Sequence, residues 1–387
     1  MNSSRMDRSP IAEWWRNVDR WFLASFLLLM GLGLVLSFAA SPAVAGRIGN
    51  GNVDPMHFVE RHFFFMFPAL ITLIGVSFMP AIWIRRVATL LFAVFLVMLF
   101  LTLFFGTEIK GSTRWLSVTG ISIQPSEFLK PTFVVLCAWM FSIRETRPEI
   151  PGNLLGILAF ASVALILLLQ PDLGQTMLIG LTWGVMFFMA GLSMIWIVAL
   201  FGIAVGGGFL AYMTFDHVTQ RIDKFLTGKG DNMQVETAIQ AIQNGGWLGR
   251  GPGEGTEKWR LPDSHTDFVF AVAGEEFGII VCALIALVFA FIVMRALSFA
   301  FGEEDGFKRL AVAGLGANFG FQALINMAVN LHLMPPKGMT LPFISYGGSS
   351  LTAVALGMGM MLALSRKKPD AAISPRQRPV FNEAALA

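Results

Sequence analysis

The chain has 387 residues, 55% of them hydrophobic and only 14% charged, with 36 phenylalanines and a formal net charge of +3. A soluble domain carries about a quarter charged residues, so this apolar excess implies one polytopic membrane bundle rather than two or three water-soluble domains. The positive charge is small and dispersed, which excludes a nucleic-acid surface. Cys137 and Cys282 each fall inside an apolar run, where packed thiols are expected rather than a disulfide or a metal pair.

Arg5, Arg8, Arg16 and Arg20 precede a first apolar run at 21–40, followed by Ala43 and Ala45 in an A-x-A spacing. That pattern imitates a signal peptide. A run of about twenty residues exceeds the ~7–15 of a secretory apolar region, so a retained first span is expected. Apolar runs of spanning length recur at 21–41, 62–80, 86–105, 126–143, 153–170, 173–190, 193–214, 267–293, 309–331 and 349–365. They predict an all-α polytopic protein of about ten transmembrane helices. The run 173–190 is parted from its predecessor only by Gln170-Pro171-Asp172; an odd count would put the termini on opposite sides. The expected organisation is a cytoplasmic segment 1–20, a membrane domain 21–365 and a polar, disordered tail 366–387. Arg366, Lys367 and Lys368 are expected to anchor the last helix at the inner leaflet.

With ten spans and the N-terminus inside, the inside segments hold about sixteen Lys and Arg, against about six in the short outside loops, so both termini are expected in the cytoplasm. Two long loops then lie outside. Loop 106–125 leads to Ser126, an expected helix N-cap, and Glu127 in the first turn. Loop 215–266 contains Val235, Ala238, Ile239 and Ile242 at helical spacing, which predicts a short amphipathic helix lying on the membrane surface. The GGWLGRGPGEGTEKW stretch after it lacks a preceding strand and a G-K-[ST] ending, so a structured re-entrant or surface loop is expected, not a nucleotide loop.

The stretch 259–276, WRLPDSHTDFVFAVAGEE, places Asp263, His265 and Asp267 where this loop meets an apolar run, with Glu275 and Glu276 further along. Carboxylates at a bilayer boundary are costly and need partners, water or a task. The simpler reading of Asp267 is a helix cap favoured by the macrodipole. The functional one makes it a general base with His265 as orienting or proton-relay partner. On a continuous helix Glu275 would lie roughly 80° around and about 12 Å deeper, so it could line the same cavity, whereas Glu276, roughly 180° away, would face another helix.

Arg114, Lys110 and Lys130 form an expected cationic rim on the same side. Cations there ordinarily reach lipid phosphate, and they are also what a pyrophosphate leaving group requires. Asp172, between two spans, either caps the next helix or pairs with one of these cations. The segment 335–350, PPKGMTLPFISYGGSS, with Lys337, Tyr346 and Ser349, cannot be a plain helix. Non-helical backbone near membrane depth survives only when buried in protein or lining a wet cavity, so it is expected to form a wall or substrate rim. Gly316 and Gly320 point to close helix packing.

GSTRW with IQPSE, QPDLG, LPDSHTDFVFAVAGEE and PPKGMTLPFISYGGSS resemble, in order and over nearly the whole chain, the signatures of the SEDS family, the bacterial shape, elongation, division and sporulation proteins. The last segment, with Lys337 and Thr340, is closer to the division branch than to the elongation branch. The resemblance implies a ten-helix membrane glycosyltransferase of septal wall synthesis, polymerising lipid II into glycan strands at the outer face of the inner membrane beside a class B penicillin-binding protein and other divisome proteins. It makes Asp267 the catalytic residue. Arg114, Lys130, His265, Asp172, Glu275, Lys337 and Ser349 are then the substrate-side candidates. No metal site or cofactor is expected beyond a divalent cation at the pyrophosphate. Where members of the family often read LPEAHTDF, this chain has Asp263 and Ser264. Two other readings stay open at this stage: a lipid II flippase, for which polar groups at the membrane midplane are expected, and a scaffold that only recruits the cross-linking enzyme.

Overall fold

The computed structural model describes residues 9–48, 53–109, 112–118, 121–191, 194–214, 219, 223 and 233–366. Lys110, the first eight residues, most of 215–232 and the tail with Lys367 and Lys368 lie outside the described residues.

Each of the ten apolar runs finds a helix: α2 (Arg20–Ile48), α3 (His57–Ser77), α4 (Ala81–Phe105), α5 (Pro125–Thr146), α6 (Gly152–Leu169), α7 (Leu173–Met189), α8 (Met194–Thr214), α10 (Val269–Gly302), α11 (Gly306–Asn330) and α12 (Gly348–Leu364). Two shorter helices, α1 (Pro10–Asn17) and α9 (Met233–Gly245), flank them. Among the described residues, seven helices are long and apolar enough to cross a membrane by length and composition, and α7 and α12 are shorter apolar helices. This is a multi-pass membrane protein. In the most apolar stretch of α5, 78% of residues are buried, and in α11 72%, against 22% for α4 and 28% for α3 and α6. So α5 and α11, with the almost wholly buried α12, form the centre of the bundle, while α3, α4 and α6 turn apolar faces to lipid. Gly316 and Gly320 are the close packing points of α11: a Cβ on either would come within 2.6 Å of Ala296 or 2.5 Å of Val293. Cys137 and Cys282 are buried free thiols.

Three local features differ from the sequence reading. Loop 106–125 is not irregular: β1 (Thr107–Ile109), β2 (Ser112–Val118) and β3 (Ile121–Ile123) form an antiparallel meander, with Thr107 opposite Trp115 and Leu116 opposite Ile123. Helix α5 then starts at Pro125 with Gln124 as N-cap, so Ser126 lies inside the first turn. Helix α9 does not rest its apolar face on lipid. Val235, Ala238 and Ala241 pack with Leu261, Phe268, Ala271 and Val329, since the ends of α10 and α11 offer an apolar surface nearer than the membrane.

A set of arginines marks one end of the bundle. Arg295 pairs with Asp19 and Arg309 with Glu145, Arg366 donates to the Met79 carbonyl, and Arg85 stacks on Phe307. Trp14 of α1 docks there too, donating to Ser77 Oγ at 2.9 Å. The candidate site lies at the opposite end.

Candidate active site

A cavity of about 1320 Å³ opens at that end. Its walls are the first turn of α3 (Glu60, Arg61), the β-meander (Arg114, Trp115), the start of α5 (Glu127, Phe128), the 263–268 segment and the 336–350 segment. Asp267 lines it, half-buried, together with Asp263, Arg114, Lys337 and Ser349. A methyl group placed on Gly338 would sit 3.8 Å from Asp267 Oδ2 and 3.9 Å from Arg114 Nη1, so carboxylate and guanidinium converge on one point of the wall.

Asp267 does not open the helix as the sequence suggests. Residues 262–268 are a run of turns, and α10 begins at Val269 with Phe268 as its N-cap. What holds the aspartate is α11. Asn326 Nδ2 donates to the Asp267 carbonyl at 2.8 Å and to the Met339 carbonyl at 2.6 Å, and Asn330 Nδ2 donates to the Asp267 carbonyl at 2.9 Å. Ala271 N–H closes the set on Asn330 Oδ1. One helix face thus pins the Asp267 segment to the 335–347 segment. Further bonds run from Ser345 Oγ to the Thr266 carbonyl and from Tyr346 N–H to the His265 carbonyl, while Gln322 Nε2 donates to Thr340 O. The 335–347 segment enters the bundle with Met339, Leu341, Phe343 and Ile344 buried. Its polar backbone is answered by these side chains, as non-helical backbone at membrane depth requires.

Arg114 reaches Asp172 at 3.3 Å and donates to the Pro171 carbonyl, and Asp172 also caps α7 by accepting from Gln175 N–H. Both sequence readings of Asp172 therefore hold at once. Burial pushes its carboxyl above the ordinary range, with Arg114 and the Gln175 N–H pulling the other way. Tyr346 lies on the cavity wall hydrogen-bonded to Arg61, and burial pushes its phenol up against the pull of that arginine.

Four of the expected residues stand elsewhere. Lys130 is no rim cation: it is 2% exposed and donates to Glu127 Oε1 at 2.9 Å and Gln322 Oε1 at 2.8 Å, inside the bundle where an unpaired ammonium could not stay. Asp172 is buried behind Arg114 and off the cavity wall. His265 packs its ring against Phe58 at 4.8 Å and Tyr346 at 5.2 Å and is not on the cavity wall either. Glu275 is fully buried and accepts the backbone N–H groups of Thr256, Glu257 and Lys258 at 2.6, 2.7 and 3.1 Å, while Glu276 pairs with Lys258. The two glutamates do not continue a helical face from Asp267, because α10 begins only at Val269 and the loop after α9 covers them; just beyond them the helix is interrupted at Gly278, with φ +82°. There the 245–251 turns lie on the helix: Arg250 and Gly251 donate to the Glu275 and Glu276 carbonyls, and Ile279 to Gly246. The glycine-rich loop is structural, as expected. A Cβ on Gly249 would fall 2.1 Å from the Glu276 oxygen.

Sequence reasoning missed Glu60 and Arg61 on the cavity wall and the asparagine pins. A signal for the pins exists: Asn318, Gln322, Asn326 and Asn330 recur every four residues, a polar stripe on an otherwise apolar helix. Among the described residues no group of three or more His, Cys, Asp or Glu side chains is placed to hold a metal ion. A protein-built cage for a divalent cation does not fit this site.

The family model described as cell cycle protein, that of FtsW, RodA and SpoVE, matches residues 19–370. A protein of Caulobacter vibrioides named "Probable peptidoglycan glycosyltransferase FtsW" is 45% identical over 369 residues, covering 95% of this chain and 94% of that protein. One of the same name from Hydrogenovibrio crunogenus is 34% identical over 382 residues, covering 94% and 97%. Among solved structures, the rod shape determining protein RodA of Thermus thermophilus superposes with TM-score 0.64 at 25% identity, over 90% of this chain and 96% of that one. A chain from a peptidoglycan synthase complex coordinating polymerization and crosslinking gives TM-score 0.75 at 25% identity, over 90% and 97%. The chain belongs to the FtsW, RodA and SpoVE family of cell cycle proteins, the SEDS family whose motifs it carries.

Proposed function

We propose that this protein is a peptidoglycan glycosyltransferase that joins lipid II disaccharides into glycan strands, with Asp267 as general base and undecaprenyl pyrophosphate as leaving group. The observation that carries the reading is Asp267 on the wall of a cavity of about 1320 Å³, with Arg114 and Lys337 on the same wall. Pockets for one drug-sized ligand span roughly 300–1,000 Å³, so this one has room for a donor and an acceptor together. The names of the relatives support the same activity.

A sugar hydroxyl is a poor nucleophile at neutral pH, so a positioned carboxylate that takes its proton is what the step requires. The attacking oxygen bonds to the anomeric carbon as the bond to the pyrophosphate oxygen breaks. The developing negative charge leaves toward Arg114 and Lys337. One displacement inverts the anomeric centre, and no second nucleophilic carboxylate is needed. Phe64, Phe65 and Phe128 on the apolar part of the wall suit the first isoprene units of a polyprenyl tail.

The excess of arginine and lysine in the short segments at the other end of the bundle supports, by the positive-inside rule, a cavity at the outer face of the inner membrane and both termini in the cytoplasm. A class B penicillin-binding protein and other divisome proteins at the septum are the partners this reading implies. The flippase reading loses its main support here, because Glu275 and Glu276 answer to the 250–258 loop. The discriminating experiment supplies labelled lipid II to the purified protein and its cognate transpeptidase in detergent, where no bilayer exists to be crossed. Polymer is expected. Transbilayer movement of lipid II in vesicles with no polymer under either condition would overturn the proposal in favour of carriage.

A further inference from the structure

Trp247 and Leu248, at the tip of the turn after α9, are 76% and 79% exposed, yet the backbone beneath them is fixed. Gly249 N–H donates to the Gly245 carbonyl at 2.8 Å, and Ile279 N–H to the Gly246 carbonyl at 2.9 Å. Gly249 and Gly278 both have positive φ, and a Cβ on Gly278 would fall 2.4 Å from the Trp247 oxygen. Two bulky apolar side chains are therefore held outward by a turn docked as closely as glycine permits, not carried on a loose tip. In a turn facing water, polar and small residues would be the rule.

We propose that this turn is an outer-leaflet anchor, with Trp247 and Leu248 inserted in the lipid interface on the cavity side of the membrane. Its height supports this. The turn is bonded at Ile279, and Ile279 and Ile280 are themselves 37% and 44% exposed, continuous with exposed Leu284 and Leu287 lower on α10. From Ile279 to Gly302 the helix rises about 36 Å, against a hydrocarbon core of about 30 Å. The ion pair of Arg295 with Asp19 marks the approach to the opposite boundary. The outer boundary of the hydrocarbon therefore falls at the interruption of α10. A tryptophan ring has the apolar body and polar N–H that suit that level. Exposed Arg250 and Arg260 on the same loop supply cations for headgroup phosphates.

The consequence concerns the site. The piece of α10 between Val269 and Phe277 rises up to about 13 Å, so an anchored turn sets Asp267 at headgroup height, where a lipid-linked disaccharide presents its sugar.

The test uses the full chain alone in lipid nanodiscs, labelled with an environment-sensitive fluorophore at Trp247→Cys, Leu248→Cys or, as a water-facing reference, Glu254→Cys. The two native cysteines are buried. A nitroxide carried near the lipid carbonyls is expected to quench positions 247 and 248 at least about threefold more than 254, and aqueous iodide at least about threefold less. Iodide quenching at 247 and 248 equal to that at 254 would overturn the proposal. So would labels that neither quencher reaches, since they would be covered by protein.

Discussion

Replacing Glu275 by Gln separates a loop clamp from a substrate contact. Its Oε1 accepts from Thr256 and Glu257, and its Oε2 from Lys258. A hydrogen bond to a charged acceptor is worth about 1.5–3 kcal/mol and one to a neutral acceptor about 0.5–1.5. With Gln, two bonds weaken by about 1 kcal/mol each. The amide NH2 then faces the Lys258 N–H, donor against donor, at a further cost of about 1–3 kcal/mol. The local opening free energy of 254–259 should fall by about 3–5 kcal/mol, and amide exchange there should speed at least a hundredfold. Hydrogen exchange of the detergent-solubilised protein reads this directly, and the KM for lipid II, measured alongside, should stay within about twofold of wild type. Unchanged exchange at 256–258 together with a large rise in KM would refute the clamp and return Glu275 to the substrate side.

Three further substitutions test the frame around Asp267. Asn326→Ala leaves the Met339 carbonyl without the partner seen here and loosens the Asp267 carbonyl; kcat should fall about 10- to 100-fold with little change in KM, and an unchanged kcat would mean the pin does not set the geometry. Gly249→Ala puts a methyl group against the Glu276 oxygen at a φ of +82°; the melting temperature in detergent should drop by several degrees, corresponding to at least about 2 kcal/mol. Arg114→Gln removes the guanidinium that faces the cavity and pairs with Asp172; polymerisation should fall at least about tenfold, with no recovery in Arg114→Lys if the two-sided contact is what matters.

Much of this architecture is legible in the sequence because lipid imposes a simple rule: a spanning helix must be about twenty apolar residues long. That rule locates ten helices, including α7, whose separation from α6 rests on three residues. It says nothing of structure at the rim. The meander of 107–123 escapes because its strands are three to seven residues long and its small sheet leans on α4 and α5. Lys130 misled because its position near a helix end suggested a surface cation, whereas Glu127 and Gln322, the latter 192 positions away, allow it inside. Glu275 misled for a different reason. Helical periodicity assumes one helix running from Asp267, whereas α10 begins at Val269, and the docking of the 256–258 backbone on Glu275 is a tertiary event. Asp267 could be picked out locally, but the asparagines that hold it come from a helix nearly sixty residues on, and no local pattern joins the two.

The most direct test of the account compares wild type with Asp267→Asn, each purified with the cognate transpeptidase, given labelled lipid II and analysed by product length. The substitution keeps the shape of the side chain and removes its capacity to accept the proton. The account predicts that lipid II still binds, within a few-fold of wild type, and that glycan polymer is lost by at least about a hundredfold. Polymer of normal length and rate from the Asp267→Asn protein would contradict it.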